Sequence, residues 1–233
     1  LVIHTGDFKL DPTPIDGKVT ELDKIERICR QSGGALMLLS DSTNAEEPGY
    51  TLSEKVIGEA FESVFNQARG RIVIASFASL VARIQQVIWS AEKFGRKVAI
   101  SGRSMQENIE VAIKLGYLKV PEGLIVSLRD LKKYPDDRIV IISTGSQGEP
   151  SSALVRMAAG EHAQVAIKKG DTVIISASPI PGNERSITNT IDDLLRRGAR
   201  VVYDKTMRVH VTGHACQDEL AKMIQAVKPK YFI

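Results

Sequence analysis

The sequence predicts an α/β protein built on a doubly wound parallel sheet. Short apolar runs alternate with amphipathic segments from Ile72 to Tyr203, in the rhythm of strand, crossover helix, strand. The runs, such as Ile72-Val73-Ile74-Ala75 and Ile139-Val140-Ile141-Ile142, read as buried parallel strands. The junctions after them are built alike, with small hydroxyl residues and glycine leading into a helix start.

Taken in order, Leu1-Val2-Ile3 reads as a strand and runs into His4-Thr5-Gly6-Asp7-Phe8-Lys9. An Asp just past a strand end is where α/β proteins place metal ligands or catalytic carboxylates; the plainer reading is a turn Asp. Leu22 to Cys29 forms a short helix, and Ala35 to Leu39 a buried strand. That strand ends at Ser40-Asp41-Ser42-Thr43-Asn44, either a loop with phosphate or metal contacts or simple turn chemistry. Glu46-Glu47-Pro48-Gly49 is the strongest boundary. Thr51-Leu52-Ser53-Glu54 fits a capping box opening a helix to about Gln67. Leu80, Ile84, Val87, Ile88 and Ala91 mark one helix face. Val98 to Ile100 is a strand; Gly102-Arg103-Ser104 follows, with Ser104 and Glu107 as a second capping box. The strand at Ile139 leads through Thr144-Gly145-Ser146-Gln147-Gly148-Glu149-Pro150 to a helix from about Ser152. Thr172 to Ile175 leads through Ser176–Gly182 to a helix over 184–197, and Arg200 to Tyr203 is the last inner strand. Lys230-Tyr231-Phe232-Ile233 reads as a strand after Pro229. A chain that starts without Met and stops inside strands reads as a piece of a longer polypeptide.

The composition is ordinary and globular: 233 residues, 43% hydrophobic and 25% charged, enough for one large domain or two smaller ones. Aromatics at 5% argue against a binder built on stacked aromatic platforms. A net charge of +3 does not by itself establish a nucleic-acid partner. Cys29 and Cys216 form neither a disulfide framework nor a Cys-x-x-Cys zinc spacing, which suits a reducing compartment. No apolar run is long enough to span a bilayer, and no signal peptide opens the chain.

His210-Val211-Thr212-Gly213-His214 holds two of the four histidines. Thr212-Gly213 reads as a tight turn with Gly at positive φ. Leu220, Met223, Ile224 and Val227 then recur at helical spacing, so the turn feeds a helix N-terminus whose N–H groups favour an anion. Two idle loop histidines are the bland alternative. In an open parallel sheet such junctions gather at the carboxyl ends of the strands, where ligands bind. Hydroxyls, helix starts and the fork of Arg103 suit phosphate oxygens. No P-loop, dinucleotide fingerprint, His-Glu-x-x-His or Gly-x-Ser-x-Gly is present. Asp7 alone does not make a catalytic metal site.

On these residues the chain resembles ribonuclease J, a family of the metallo-β-lactamase superfamily with an inserted β-CASP domain. The resemblance covers essentially the whole chain. It rests on His4–Lys9, Leu39–Asn44, Phe77–Ser79, Gly102–Ser104, Thr144–Pro150, Ser178–Asn183 and His210–His214. It implies a cytoplasmic 5′-to-3′ exonuclease and endonuclease acting on RNA, preferring a 5′-monophosphate, by a two-metal mechanism using two zinc ions. It implies that Asp7 bridges the metals and that His214 is the catalytic histidine. It makes Phe77-Ala78-Ser79 and His210, Val211, Thr212, Gly213 and His214 the substrate-binding segments; the turns at Ser79 and Thr212, each with a hydroxyl beside a helix start, are expected to grip one phosphate between them. It further implies a homodimer or homotetramer. Residues 1–46 then end the first metallo-β-lactamase (αββα) part, 47–206 form the β-CASP domain, and 207–233 return into the lactamase domain. The family's His-x-His-x-Asp-His ligands and its last metal-binding His fall outside this stretch, so the chain is expected to be an inactive core fragment. The family often carries Asn and His where Leu80 and Ala82 stand here. A related β-CASP nuclease acting on DNA or on mRNA 3′ ends, and a non-catalytic phosphate- or RNA-binding α/β domain, are the competing readings.

Overall fold

The computed structural model describes residues 1–233. The chain forms two compact units, Leu1–Val56 with Val211–Ile233, and Ile57–His210. Its elements in order are β1 (Val2–His4), α1 (Leu22–Gln31), β2 (Met37–Leu39), α2 (Lys55–Gln67), β3 (Ile72–Ala75), α3 (Val81–Lys93) and β4 (Lys97–Ser101). Then come α4 (Arg103–Lys114), two short 3-10 turns at Leu128–Lys133 and Asp136–Arg138, β5 (Ile139–Ser143) and α5 (Ala153–Ala159). The chain finishes with β6 (Thr172–Ile175), α6 (Glu184–Arg196), β7 (Arg200–Val202), α7 (Gln217–Val227) and β8 (Tyr231–Phe232).

Both sheets are parallel, as the apolar runs predict. The unit at 57–210 holds five strands in the order β4-β5-β3-β6-β7, with Ile74 paired to Ile142 on one side and Ile174 on the other. Both faces are covered. Val73, Ile141 and Val173 pack with Leu154 and Met157 of α5 and Leu194 of α6. The residues between them, Ile72, Ile74 and Val140, are equally buried, which requires cover from the opposite face. The smaller sheet runs β1-β2-β8, and α1 and α7 bury Cys29, Leu38, Met223 and Val227 with it.

Neither expected capping box forms. α2 starts at Lys55, while the Thr51 N–H donates to Glu219 Oε2 at 2.7 Å and Glu54 takes Lys9 Nζ at 3.2 Å. Partners distant in sequence displace the local pair. α4 starts at Arg103, with Gly102 as N-cap at φ 113° and no side-chain cap. A Cβ at Gly102 would stand 2.7 Å from Thr144 Oγ1, so both backbone and space demand glycine.

Ser101, at the end of β4, lies 3.0 Å from His162 Nε2. His162 Nδ1 accepts the N–H groups of Gln164 at 3.2 Å and Val165 at 3.1 Å, so Nε2 carries the proton. Burial and nearby Arg156 push His162 below the ordinary imidazole value, which keeps it neutral. A neutral ring already protonated at Nε2 does not take the Ser101 proton. The pair clasps a loop; it is not a nucleophile with its base.

Candidate active site

In the unit at 1–56 and 211–233, three loops carry the candidate chemistry. After β1, Gly6 at φ 61° turns the chain sharply, and its N–H donates to His4 Nδ1 at 2.9 Å. The Thr5 hydroxyl donates to Gly6 O at 2.6 Å and accepts the Asp41 N–H at 3.0 Å, tying this loop to the one after β2. Asp7 is exposed.

Asp41 is the centre of the arrangement. Its Oδ1 accepts the N–H and hydroxyl of Thr43 at 3.0 and 2.7 Å. Its Oδ2 accepts the Phe8 N–H at 3.3 Å and lies 2.8 Å from His214 Nδ1. Burial works to raise the Asp41 pKa, but the bonds from Thr43, His214 and Phe8 outweigh it, and the value falls below the ordinary carboxylate. An ionised Asp41 therefore holds the His214 proton on Nδ1 and leaves Nε2 for chemistry. The Asp41 side chain is 4% exposed and that of His214 31%, so the imidazole, and not its orienting carboxylate, meets solvent.

The loop carrying His214 differs from the expected turn. Gly213 is not at positive φ; instead the His214 N–H donates to Thr212 Oγ1 at 3.2 Å and closes the turn through the hydroxyl. Asn44 Nδ2 also donates to Thr212 Oγ1, at 3.3 Å, and Lys9 Nζ to the Thr212 carbonyl at 3.2 Å. The Thr51 hydroxyl holds the His214 carbonyl at 2.7 Å.

The helix start behind this loop is not an open anion site. α7 begins at Gln217, and the N–H groups of Gln217 and Asp218 donate to Glu47 O and Gly49 O at 3.0 and 3.1 Å. Fully buried Glu219 accepts the Cys216 N–H at 2.9 Å, with Leu10 and Thr51 N–H both at 2.7 Å. Burial favours the neutral form of Glu219, yet these backbone bonds prevail and lower its pKa. The protein has placed its own carboxylate where a phosphate was expected.

In the unit at 57–210, Phe77, Ala78 and Ser79 follow β3 in a tight turn. Ser79 is exposed, its carbonyl accepting the Val81 N–H at 2.9 Å. Leu80 is the N-cap of α3 and supplies no side-chain cap. His210 is half-buried, with Nδ1 3.4 Å from Arg83 Nη1.

The family described as "Ribonuclease J, beta-CASP domain" matches residues 69–194. The chain belongs to the ribonuclease J family. It is 50% identical over 232 residues to ribonuclease J of Thermus thermophilus, covering all of this chain and 40% of that protein. It is 47% identical over 233 residues to ribonuclease J2 of Bacillus subtilis, covering all of this chain and 41% of that protein. Ribonuclease J of Synechocystis is 47% identical over 233 residues, with 36% of its length covered. The chain thus spans roughly two fifths of the curated relatives it matches.

Ribonuclease J belongs to a metallo-β-lactamase nuclease family, so the donor set has to be tested against a metal. Ligand atoms of Asp7, Asp41 and His214 lie within 4.8 Å of one another. Asp41 and His214 Nδ1 are already committed to each other, which leaves the exposed Asp7 as the carboxylate suited to a divalent cation. One exposed carboxylate is compatible with a metal ligand and does not make a metal site alone. Asp41 itself was ambiguous in sequence; the Ser40–Asn44 cluster directly after a buried strand was its signal. No helix is long and apolar enough to cross a membrane.

Proposed function

We propose that this ribonuclease J chain is the core of a metal-dependent ribonuclease and that His214 is its catalytic histidine. The observation that carries the reading is the Asp41–His214 pair at 2.8 Å, beside exposed Asp7. Asp41 stabilises the imidazolium and fixes its orientation, and His214 Nε2 delivers a proton to the leaving oxygen, or stabilises charge there, as the P–O bond breaks. Asp7 contributes the carboxylate that holds metal; zinc, when bound, supplies an activated water and positive charge at the phosphate. Phe77-Ala78-Ser79 and His210–His214 are each assigned to RNA phosphates, Ser79 through its exposed hydroxyl beside the start of α3.

In this reading residues 1–46 and 207–233 belong to the metallo-β-lactamase domain and 47–206 to the β-CASP domain. The complete protein acts on RNA from a 5′-monophosphate end and internally, as a homodimer or homotetramer in the cytoplasm. The test is cleavage of matched RNA and DNA by the complete polypeptide. RNA-selective hydrolysis lost on chelation and in His214→Ala is expected; equal cleavage of DNA, or an active His214→Ala, overturns the assignment.

A further inference from the structure

We infer that Arg83 is a positioning residue that fixes His210 as the neutral tautomer with its proton on Nε2, making His210 a hydrogen-bond donor and not an acid or base. The inference rests on the assignment of His210 to RNA phosphates and adds what His210 does there.

Arg83 lies on α3 and is 0% exposed. Its guanidinium carries only donors and keeps its proton. Nη1 donates to the Val209 carbonyl at 3.1 Å and to Ser176 Oγ. The Ser176 hydroxyl passes its own proton to the same carbonyl at 2.6 Å, so its oxygen faces Arg83 as an acceptor. His210 Nδ1 also lies 3.4 Å from Nη1. Two donors do not face one another at that distance, so Nδ1 is the lone-pair nitrogen and Nε2 carries the proton. An imidazolium would place an N–H and a positive charge against a buried guanidinium.

His214 has the opposite setting. Its Nδ1 faces a carboxylate and carries the proton, leaving Nε2 able to hold or release one. The two histidines of one pentapeptide therefore have different chemistries. His210 is a donor at Nε2, while His214 carries its proton on Nδ1.

The experiment uses the full-length polypeptide with nitrogen-15 histidine, the His210 signal being assigned by its loss in His210→Gln. The wild type is expected to show protonated Nε2 and unprotonated Nδ1 at neutral pH. Arg83→Met is expected to lose that pattern and to raise KM for 5′-monophosphate RNA about tenfold or more, with a smaller fall in kcat. His210→Gln, which keeps a distal N–H donor, should lose less affinity than His210→Ala. If Arg83→Met fails to fold, the wild-type spectrum, Arg83→Lys and the Gln/Ala pair decide. A proton on Nδ1 in the wild type, or an unchanged tautomer and KM in a folded Arg83→Met, overturns the inference. A wild type that does not cleave RNA sinks the ribonuclease reading instead, since the tautomer is read without activity.

Discussion

Two strand-to-helix crossings, β3 to α3 and β7 to α7, look alike in sequence and differ in structure. Each passes through small and hydroxyl residues into a helix. At α7 the backbone donors are consumed by Glu47 O, Gly49 O and Glu219, and the crossing offers the side chain of His214 instead. At α3 the N-cap is Leu80, which supplies no side-chain acceptor, and the Val81 and Arg83 N–H groups are taken by the carbonyls of Ser79 and Leu80. A helix start attracts an anion only where the protein has not already provided one. Under the proposed function both crossings reach RNA phosphate, and the one at α7 also presents the imidazole of His214 for proton chemistry.

The sharpest test of that division is His214→Ala in the complete protein. It should lower kcat about 10²–10⁴-fold while metal content, read by elemental analysis, stays unchanged. Asp41→Asn should fall in the same direction, because an amide facing Nδ1 no longer selects the Nδ1–H form. Loss of metal in His214→Ala would make the residue a ligand and dissolve the contrast.

Next comes Glu219→Gln, which puts an amide N–H₂ among three backbone donors. It should cost about 3–5 kcal/mol in denaturant unfolding. Because the folded-state pKa of Glu219 lies below its unfolded value, its stabilisation is present above the unfolded value and disappears as pH falls through the folded one. Glu219→Gln should flatten that acid limb. A variant as stable as wild type would mean α7 is not closed by Glu219 at all.

Ser79→Ala tests the α3 crossing. A lost hydrogen bond to a charged group, about 1.5–3 kcal/mol, should reduce the preference for 5′-monophosphate over 5′-hydroxyl RNA by about one to two decades in kcat/KM. An unchanged ratio would make this turn a mere helix start. The smallest effect is expected of Leu80→Asn, which gives α3 the missing acceptor and should stabilise the chain by about 1 kcal/mol in thermal unfolding. No gain would show that α3 is capped by some other group.

The strands and helices of the larger sheet were legible because buried β-branched runs and 3.6-residue periodicity are local signals, as at Ile72–Ala75 and Ile84–Ala91. The capping boxes failed for the converse reason. Thr51 answers to Glu219, 168 positions away, and no local pattern announces that. Asp41 was visible only as one of two possibilities, since its role depends on His214, 173 positions away. The two 3-10 turns between α4 and β5 carry no apolar periodicity to betray them, although Ser127 caps the first by accepting the Asp130 N–H at 3.2 Å.

Glu219 joins backbone from Leu10, Thr51 and Cys216, and β8 pairs with β2 across nearly the full length of the chain. A ribosome delivers these partners far apart in time. The unit at 57–210 is contiguous and complete as soon as it emerges. Residues 1–56 must wait for 211–233, with one edge of β2 unpaired and the Asp41 carboxylate lacking its imidazole. Under the proposed mechanism, the nascent polypeptide carries no paired Asp41 and His214 until residues 211–233 have emerged.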